Sequence, residues 1–231
     1  MNSEGIPIDV QARCVFCLDN NNFRDEQILF RGSTSYLVAP LGQLVEGYLA
    51  IAPYACGNSL SQLPPAAFPE IARLQKMVED FYRVEYASAD STFYEQGRAG
   101  GGALYDQTDG FPYHAHLCGL AVTCDMHEIL GQTFRRLDLN ELADLPSAVG
   151  VQPYLYVKTG NGHCVYVGDS ESARQALEHS RLTPQIAEHL GIEDRGSWRD
   201  YPGERELENL LILFRQYQKR STGSGARPHS T

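Results

Sequence analysis

The chain has 231 residues, 42% hydrophobic and 21% charged, with a net charge of −10. That is enough apolar chain to bury a real core, as one large domain or as one domain with a substantial extension. The acidic balance excludes a general binder of phosphate backbones, whose affinity needs a basic face. No stretch approaches the roughly 18–20 apolar residues of a membrane span, and the opening residues lack the basic-then-apolar layout of a secretory signal. The expectation is a soluble cytoplasmic protein with a small-molecule substrate, no nucleic acid polymer and no membrane partner.

Residues 1–12 read as a flexible leader. Cys14 and Cys17 then form a C-x-x-C pair, which fits zinc, redox chemistry or chance. A thioredoxin-like role does not fit, because no strand precedes the pair and no helix follows it to lower a thiol pKa. Short β-type runs follow at 27–30 and 35–38, and a third at 48–52 between Gly47 and Pro53. After Pro64 and Pro65, the apolar residues Phe68, Ile71, Leu74, Val78, Phe81 and Tyr82 recur at mostly three- and four-residue spacing, which predicts a helix with one apolar face. A strand is expected over 91–95, then a glycine-rich loop through Gly97 and Gly100–Gly102, which lacks the ending of a phosphate-binding P-loop. The alternation of 114–122 predicts another strand. Strands, one helix, then strands again indicate an α+β fold with an antiparallel sheet.

Beyond residue 125 the texture changes. A helical turn is expected at 126–130, a loop-rich connection at 137–149, and a hairpin of 154–158 with 163–167 around Thr159-Gly-Asn-Gly162. Helices are expected near 172–190, interrupted at Pro184, and near 204–219. The domain layout expected is therefore 1–12 leader, 13–125 main domain, 126–220 C-terminal extension packed on it, and 221–231 a tail of disordered composition.

Six cysteines, Cys14, Cys17, Cys56, Cys118, Cys124 and Cys164, are too few for a disulfide scaffold of this length, and clustered reduced thiols suggest a metal. The densest group of reactive side chains is Tyr113-His-Ala-His-Leu-Cys118. On a strand, alternate residues share a face, so His114, His116 and Cys118 would project together. Cys118 beside His116 is also close enough in principle to serve as a nucleophile.

His114-Ala-His-Leu-Cys-Gly-Leu120 resembles the H-φ-H-φ-H-φ-φ signature of the histidine-triad (HIT) family, φ being apolar. Cys14-Val-Phe-Cys17 resembles the C-x-F-C that opens its zinc-containing members, and Gly47 to Cys56 resembles their G-H-x-L-V-I-P-K-x-H segment. The long helix and the strand end at Tyr94-Glu-Gln-Gly97 fall in the matching order. The resemblance implies a zinc site of Cys14, Cys17, Cys56 and His114, with Cys where relatives carry the third ligand as His. It implies His116 as the nucleophile toward a nucleotide α-phosphorus, Cys118 in the position of the third histidine, Glu95 and Gln96 at the substrate, and a homodimer. Where typical hydrolases carry a G-Q-S-V run, this chain has Asp109-Gly-Phe-Pro112, with Asp106 nearby. The activity implied is nucleotidyl hydrolysis or transfer through a covalent histidine. The altered third position leaves two alternatives open: a zinc-dependent reaction of specialised metabolism on the same scaffold, or a ligand-binding protein of weakened catalysis.

Overall fold

Short apolar runs build one sheet, and helices cover both of its faces. The computed structural model describes residues 14–97, 114–130, 133–178, 180 and 182–223. The expected leader, Gly100–Gly102, Asp106, Asp109-Gly-Phe-Pro112, Tyr113 and the last eight residues of the tail lie outside them. The strands are β1 (Ile28–Arg31), β2 (Ser35–Val38), β3 (Leu49–Pro53), β4 (Thr92–Gly97), β5 (Leu117–Leu120), β6 (Arg135–Leu139), β7 (Tyr154–Thr159) and β8 (Gly162–Val167). They lie in the order β1-β2-β3-β5-β4-β7-β8-β6, and every neighbouring pair is antiparallel. The α-helices are α1 (Phe68–Glu85), α2 (Met126–Leu130), α3 (Leu145–Val149), α4 (Glu171–Glu178), α5 (Leu182–His189) and α6 (Glu204–Gly223).

Helix α1 forms where the periodicity places it. Pro69 sits in its first turn, where a missing N–H costs nothing, and the stripe Phe68, Ile71, Leu74, Val78, Phe81 and Tyr82 is buried. It ends at Tyr86, and Ala87 follows in the left-handed region at φ 50°. One sheet face, carrying Leu37, Leu49, Ile51, Phe93, Leu117, Tyr154, Tyr156 and Val165, packs against α1 and the apolar side of α6. Phe81 and Phe214 join the two helices edge to face, with ring centroids 4.9 Å apart.

The opposite face has two separate coverings. Phe16, Leu18 and Phe23, with Ile28 of β1 beside them, pack against Tyr36, Val38, Ala50 and Ala52 of β2 and β3. Residues of α2, α4 and α5 lie over Tyr94, Cys118, Leu120, Leu155, Val157, Cys164 and Tyr166. Between these two covers lies the start of β5.

The segment after residue 125 is not a layer set on a finished domain. Strand β7 pairs with β4 over Phe93↔Lys158 to Gly97↔Tyr154, so β6–β8 extend the same sheet. The hairpin turns at Gly160-Asn161, closed by Gly162 at φ 108°. Part of the expected loop at 137–149 is instead β6 and α3. Strand β6 is an edge, and its Arg135, Arg136 and Asp138 are the charges that keep edges from pairing further; their polarity hides the strand. The predicted helix at 172–190 is two helices, with Pro184 inside the first turn of α5 and the break before it. Helix α6 runs on through Gly223, beyond the predicted boundary of the tail.

The predicted strand at 114–122 is shorter, covering Leu117–Leu120. Its ladder partner β3 meets it at Ile51↔Leu117 and ends at Pro53, which has no N–H to donate. Residues 114–116 are held differently, with Ala115 N–H donating to Gly57 O at 2.7 Å. No helix among the described residues is long and apolar enough to cross a membrane.

Phe214→Ala should destabilise the protein by about 3–5 kcal/mol, because it opens a cavity between α1 and α6. Urea unfolding should show a lower midpoint with an unchanged m-value; an unchanged midpoint would mean that α6 is not part of the cooperative core.

Candidate metal centre and the adjoining imidazole

Cys14 and Cys17 sit in a tight loop before the single turn Leu18–Asn20, which ends at Asn21 in the left-handed region at φ 54°. The Asn20 and Asn22 side chains donate to Cys14 O at 2.7 and 3.2 Å, and Tyr36 donates its hydroxyl to Phe16 O. These bonds fix a loop that has no ladder of its own. Cys56 comes from the loop after β3 and His114 from the segment before β5. Their four ligand atoms, all from buried residues, lie within 4.8 Å of one another. His114 Nδ1 is 3.2 Å from Cys14 Sγ and 3.8 Å from Cys17 Sγ, while its Nε2 lies 2.9 Å from Pro53 O.

This donor set fits a metal ion. A carbonyl can only accept, so Pro53 O holds the proton on Nε2 and leaves the Nδ1 lone pair facing the thiols; such outer bonds orient metal-binding histidines. The cysteines form no disulfide. Hydrogen bonds from Cys17 and Cys56 hold the Cys14 thiol well below the usual range, whereas hydrogen bonds with Cys14 and Cys56, together with burial, push Cys17 well above it. Three crowded thiols can thus carry little negative charge by themselves, and a cation is what lets all of them ionise.

His116 adjoins this knot. Its Nδ1 is 2.7 Å from His114 O, so Nδ1 carries the proton and Nε2 is the nitrogen with a lone pair to offer. The Phe16 ring stacks on the imidazole with centroids 4.2 Å apart and planes 18° from parallel. His116 is half-buried, whereas Cys118 is 4% exposed. The Tyr48 hydroxyl lies 3.1 Å from Cys118 Sγ, and Tyr94 and His116 also hydrogen-bond to that thiol. Burial works to raise the Cys118 thiol, but the charge of His116 and these three hydrogen bonds outweigh it, and the net direction is down. Burial likewise opposes charge on His116, yet the Cys118 charge and hydrogen bond, the His114 carbonyl and Glu95 raise it overall.

The remaining expected site residues are placed as follows. Gln96 lies on the His116 face, where Nε2 donates to Leu177 O at 2.7 Å and contacts Ser180 O and Oγ, fastening the end of α4. Glu95 alternates to the other face, fully buried, and accepts from Leu60 N–H at 3.1 Å. Its side chain is therefore separated by the sheet from the side chains of His116 and Cys118. Tyr48, Tyr94 and Phe16 were not singled out from the sequence. Phe16 stood between two candidate ligands and was the one with a local signal. Tyr94 is the cross-strand partner of Cys118, a relation that only the strand order reveals. Tyr48 is held by a two-way clasp with Gln43, at 2.9 and 3.1 Å.

Fold and knot together define an α+β protein with a buried Cys3His cluster able to hold a metal ion. Residues 4–101, under half of the chain, match the family described as "Protein similar to CwfJ C-terminal". No curated protein matches the chain. The match corrects the histidine-triad assignment, since it is to a different family. It covers Cys14, Cys17, Cys56, Glu95 and Gln96 and stops short of His114, His116 and Cys118. A run of His and apolar residues is a short pattern that any half-exposed strand can carry, and here the third histidine is absent.

Burial pushes the Glu95 carboxyl from 4.5 up to about 7, against hydrogen bonds from Tyr154 and Leu60 N–H and the charge of His116. Its Oε2 has no hydrogen-bond partner among the described residues. The folded state therefore keeps a proton that the unfolded chain releases, so this stability is fully present below pH 4.5 and is lost as pH rises through 7. The loss amounts to about 3 kcal/mol. Glu95→Gln should flatten the dependence of the urea midpoint on pH between these limits; a variant with the wild-type slope would place the titration elsewhere.

Proposed function

We propose that the chain is a zinc-braced group-transfer enzyme in which His116 forms a covalent intermediate with a small, nucleotide-type phosphate ester. The observation that carries the reading is the 2.7 Å contact of His116 Nδ1 with His114 O. It fixes one tautomer and one ring orientation, which nucleophilic use of Nε2 requires and a surface histidine does not. The Nε2 lone pair attacks phosphorus, the bond from phosphorus to the leaving group breaks, and its electron pair departs with that group. Water or a second acceptor then attacks phosphorus and gives up its proton to solvent, the P–N bond breaks, and Nε2 recovers the electron pair. Splitting the transfer in this way replaces one difficult step by two easier ones.

Cys118 acts through His116. Its thiol is enclosed by Tyr48, Tyr94 and the imidazole, so it is a positioning residue, while the half-buried ring is the group that meets substrate. The acidic chain favours a small ligand over a polymer. Three thiolates and an imidazole suit zinc, and four protein ligands close its shell, so the ion holds Cys14, Cys17, Cys56 and His114 together and takes no substrate.

The test is release of p-nitrophenol from a nucleoside 5′-(p-nitrophenyl phosphate). His116→Ala should lower turnover by about 10³-fold or more, with zinc content and melting temperature unchanged, and free imidazole should restore turnover to His116→Gly. Turnover by His116→Ala within about twofold of wild type would end the covalent-histidine reading. Binding of the nucleotide without turnover by the wild-type protein would replace it with a ligand-binding role.

Metal analysis tests the brace separately. The purified protein should carry one zinc per chain, kept in His116→Ala and lost in Cys56→Ser together with several degrees of melting temperature. A Cys56→Ser variant that kept its metal would remove Cys56 from the ligand set.

A further inference from the structure

We infer that Phe16 is a positioning residue that couples the metal knot to His116, so that the state of the knot sets the access and orientation of the imidazole. The inference rests on the reading of His116 as the reacting group. Phe16 stands between Cys14 and Cys17, so its backbone moves with two of the four ligands. Its carbonyl is tied to Tyr36, and its ring packs among the three knot cysteines and also over the sheet residues Tyr36, Val38, Ala50 and Ala52. The same ring contacts Phe23 edge to face at 5.5 Å, His114 at 5.9 Å and His116 face to face at 4.2 Å.

His116 is thus held from two sides by the knot. His114, a candidate ligand through its ring, accepts a hydrogen bond from His116 through its carbonyl, and Phe16, between two candidate ligands, covers one face of the imidazole. Neither contact depends on the geometry of a ladder, because β5 starts only at Leu117. Cys14, Cys17 and His114, drawn together on a bound ion, would therefore press plate and carbonyl onto His116 at once, and loss of the ion would loosen both.

The experiment reads His116 directly. Ring current from the stacked Phe16 shifts the His116 imidazole protons upfield in the NMR spectrum of the zinc-loaded protein, and the plate slows carbethoxylation of His116 by diethylpyrocarbonate, followed by peptide mapping. Phe16→Leu, with zinc retained, should lose the upfield shift, and carbethoxylation should quicken about two- to tenfold, the range that one aromatic pair sets. On the phosphodiester substrate kcat should fall by a similar factor with KM little changed, and Phe16→Tyr should restore all three readouts. Wild-type protein treated with a chelator, under conditions where its far-ultraviolet circular dichroism persists, should show the same change at His116. If Phe16→Leu loses its zinc, Phe16→Met, unbranched and without a ring, takes its place. Wild-type shifts and modification rate in the ringless variant, or in the chelated protein, would overturn the coupling. Because shifts and modification are measured without substrate, they separate failure of the coupling from absence of phosphoryl transfer.

Discussion

The arrangement depends on one residue being held at three points. The His114 ring faces three thiols through Nδ1 and a backbone carbonyl through Nε2, while its own carbonyl accepts a hydrogen bond from the His116 imidazole. Each contact would be modest alone. Together they fix a short segment that has no ladder partner, at the point where β3 has run out and β5 has not begun. A side chain can be placed accurately on a strand by pairing; here the placement comes from a cluster of ligands.

The sheet supplies the rest. Its antiparallel alternation sends Tyr94, Gln96 and Cys118 to one face and Phe93, Glu95 and Leu117 to the other. The second of these faces is closed by α1 and α6. The first is covered from both directions, by the segment before β1 and by the helices after β5, and His116 lies between those covers. Glu95 stands behind the same strands in a dry environment, so the sheet separates a polar, partly open surface from a carboxyl that prefers to stay protonated.

Much of this could be read in the residues. The four candidate ligands Cys14, Cys17, Cys56 and His114 do come together, since cysteines and histidine in such numbers have few other reasons to cluster. The α+β class and the long helix followed from periodicity. What was misread has physical causes. Edge strand β6 carries charges on a short run, so polarity masked it. The strand assigned to 114–122 ignored where its partner would stop. Glu95 and Gln96, adjacent in sequence, were grouped together, although neighbours on a strand point to opposite faces. Tyr48 and Tyr94 reach Cys118 only through the order β3-β5-β4, which no local pattern encodes. The family inferred from the motif residues is not the one that matches: residues 4–101 match a different family, and that match ends before His114, His116 and Cys118.

The ligands of the knot are also widely spaced in time. Cys14 and His114 are 100 positions apart, and at synthesis rates of roughly 5–20 residues per second Cys14 waits about 5–20 seconds, and Cys56 about 3–12 seconds, before the fourth ligand exists. During that interval the cysteines made so far lack their imidazole. The partly made chain is then open to oxidation, to disulfide formation within C-x-x-C, or to a metal captured in the wrong geometry. The growing protein thus has a window of redox vulnerability that the folded one, with every thiol of the cluster buried, does not share.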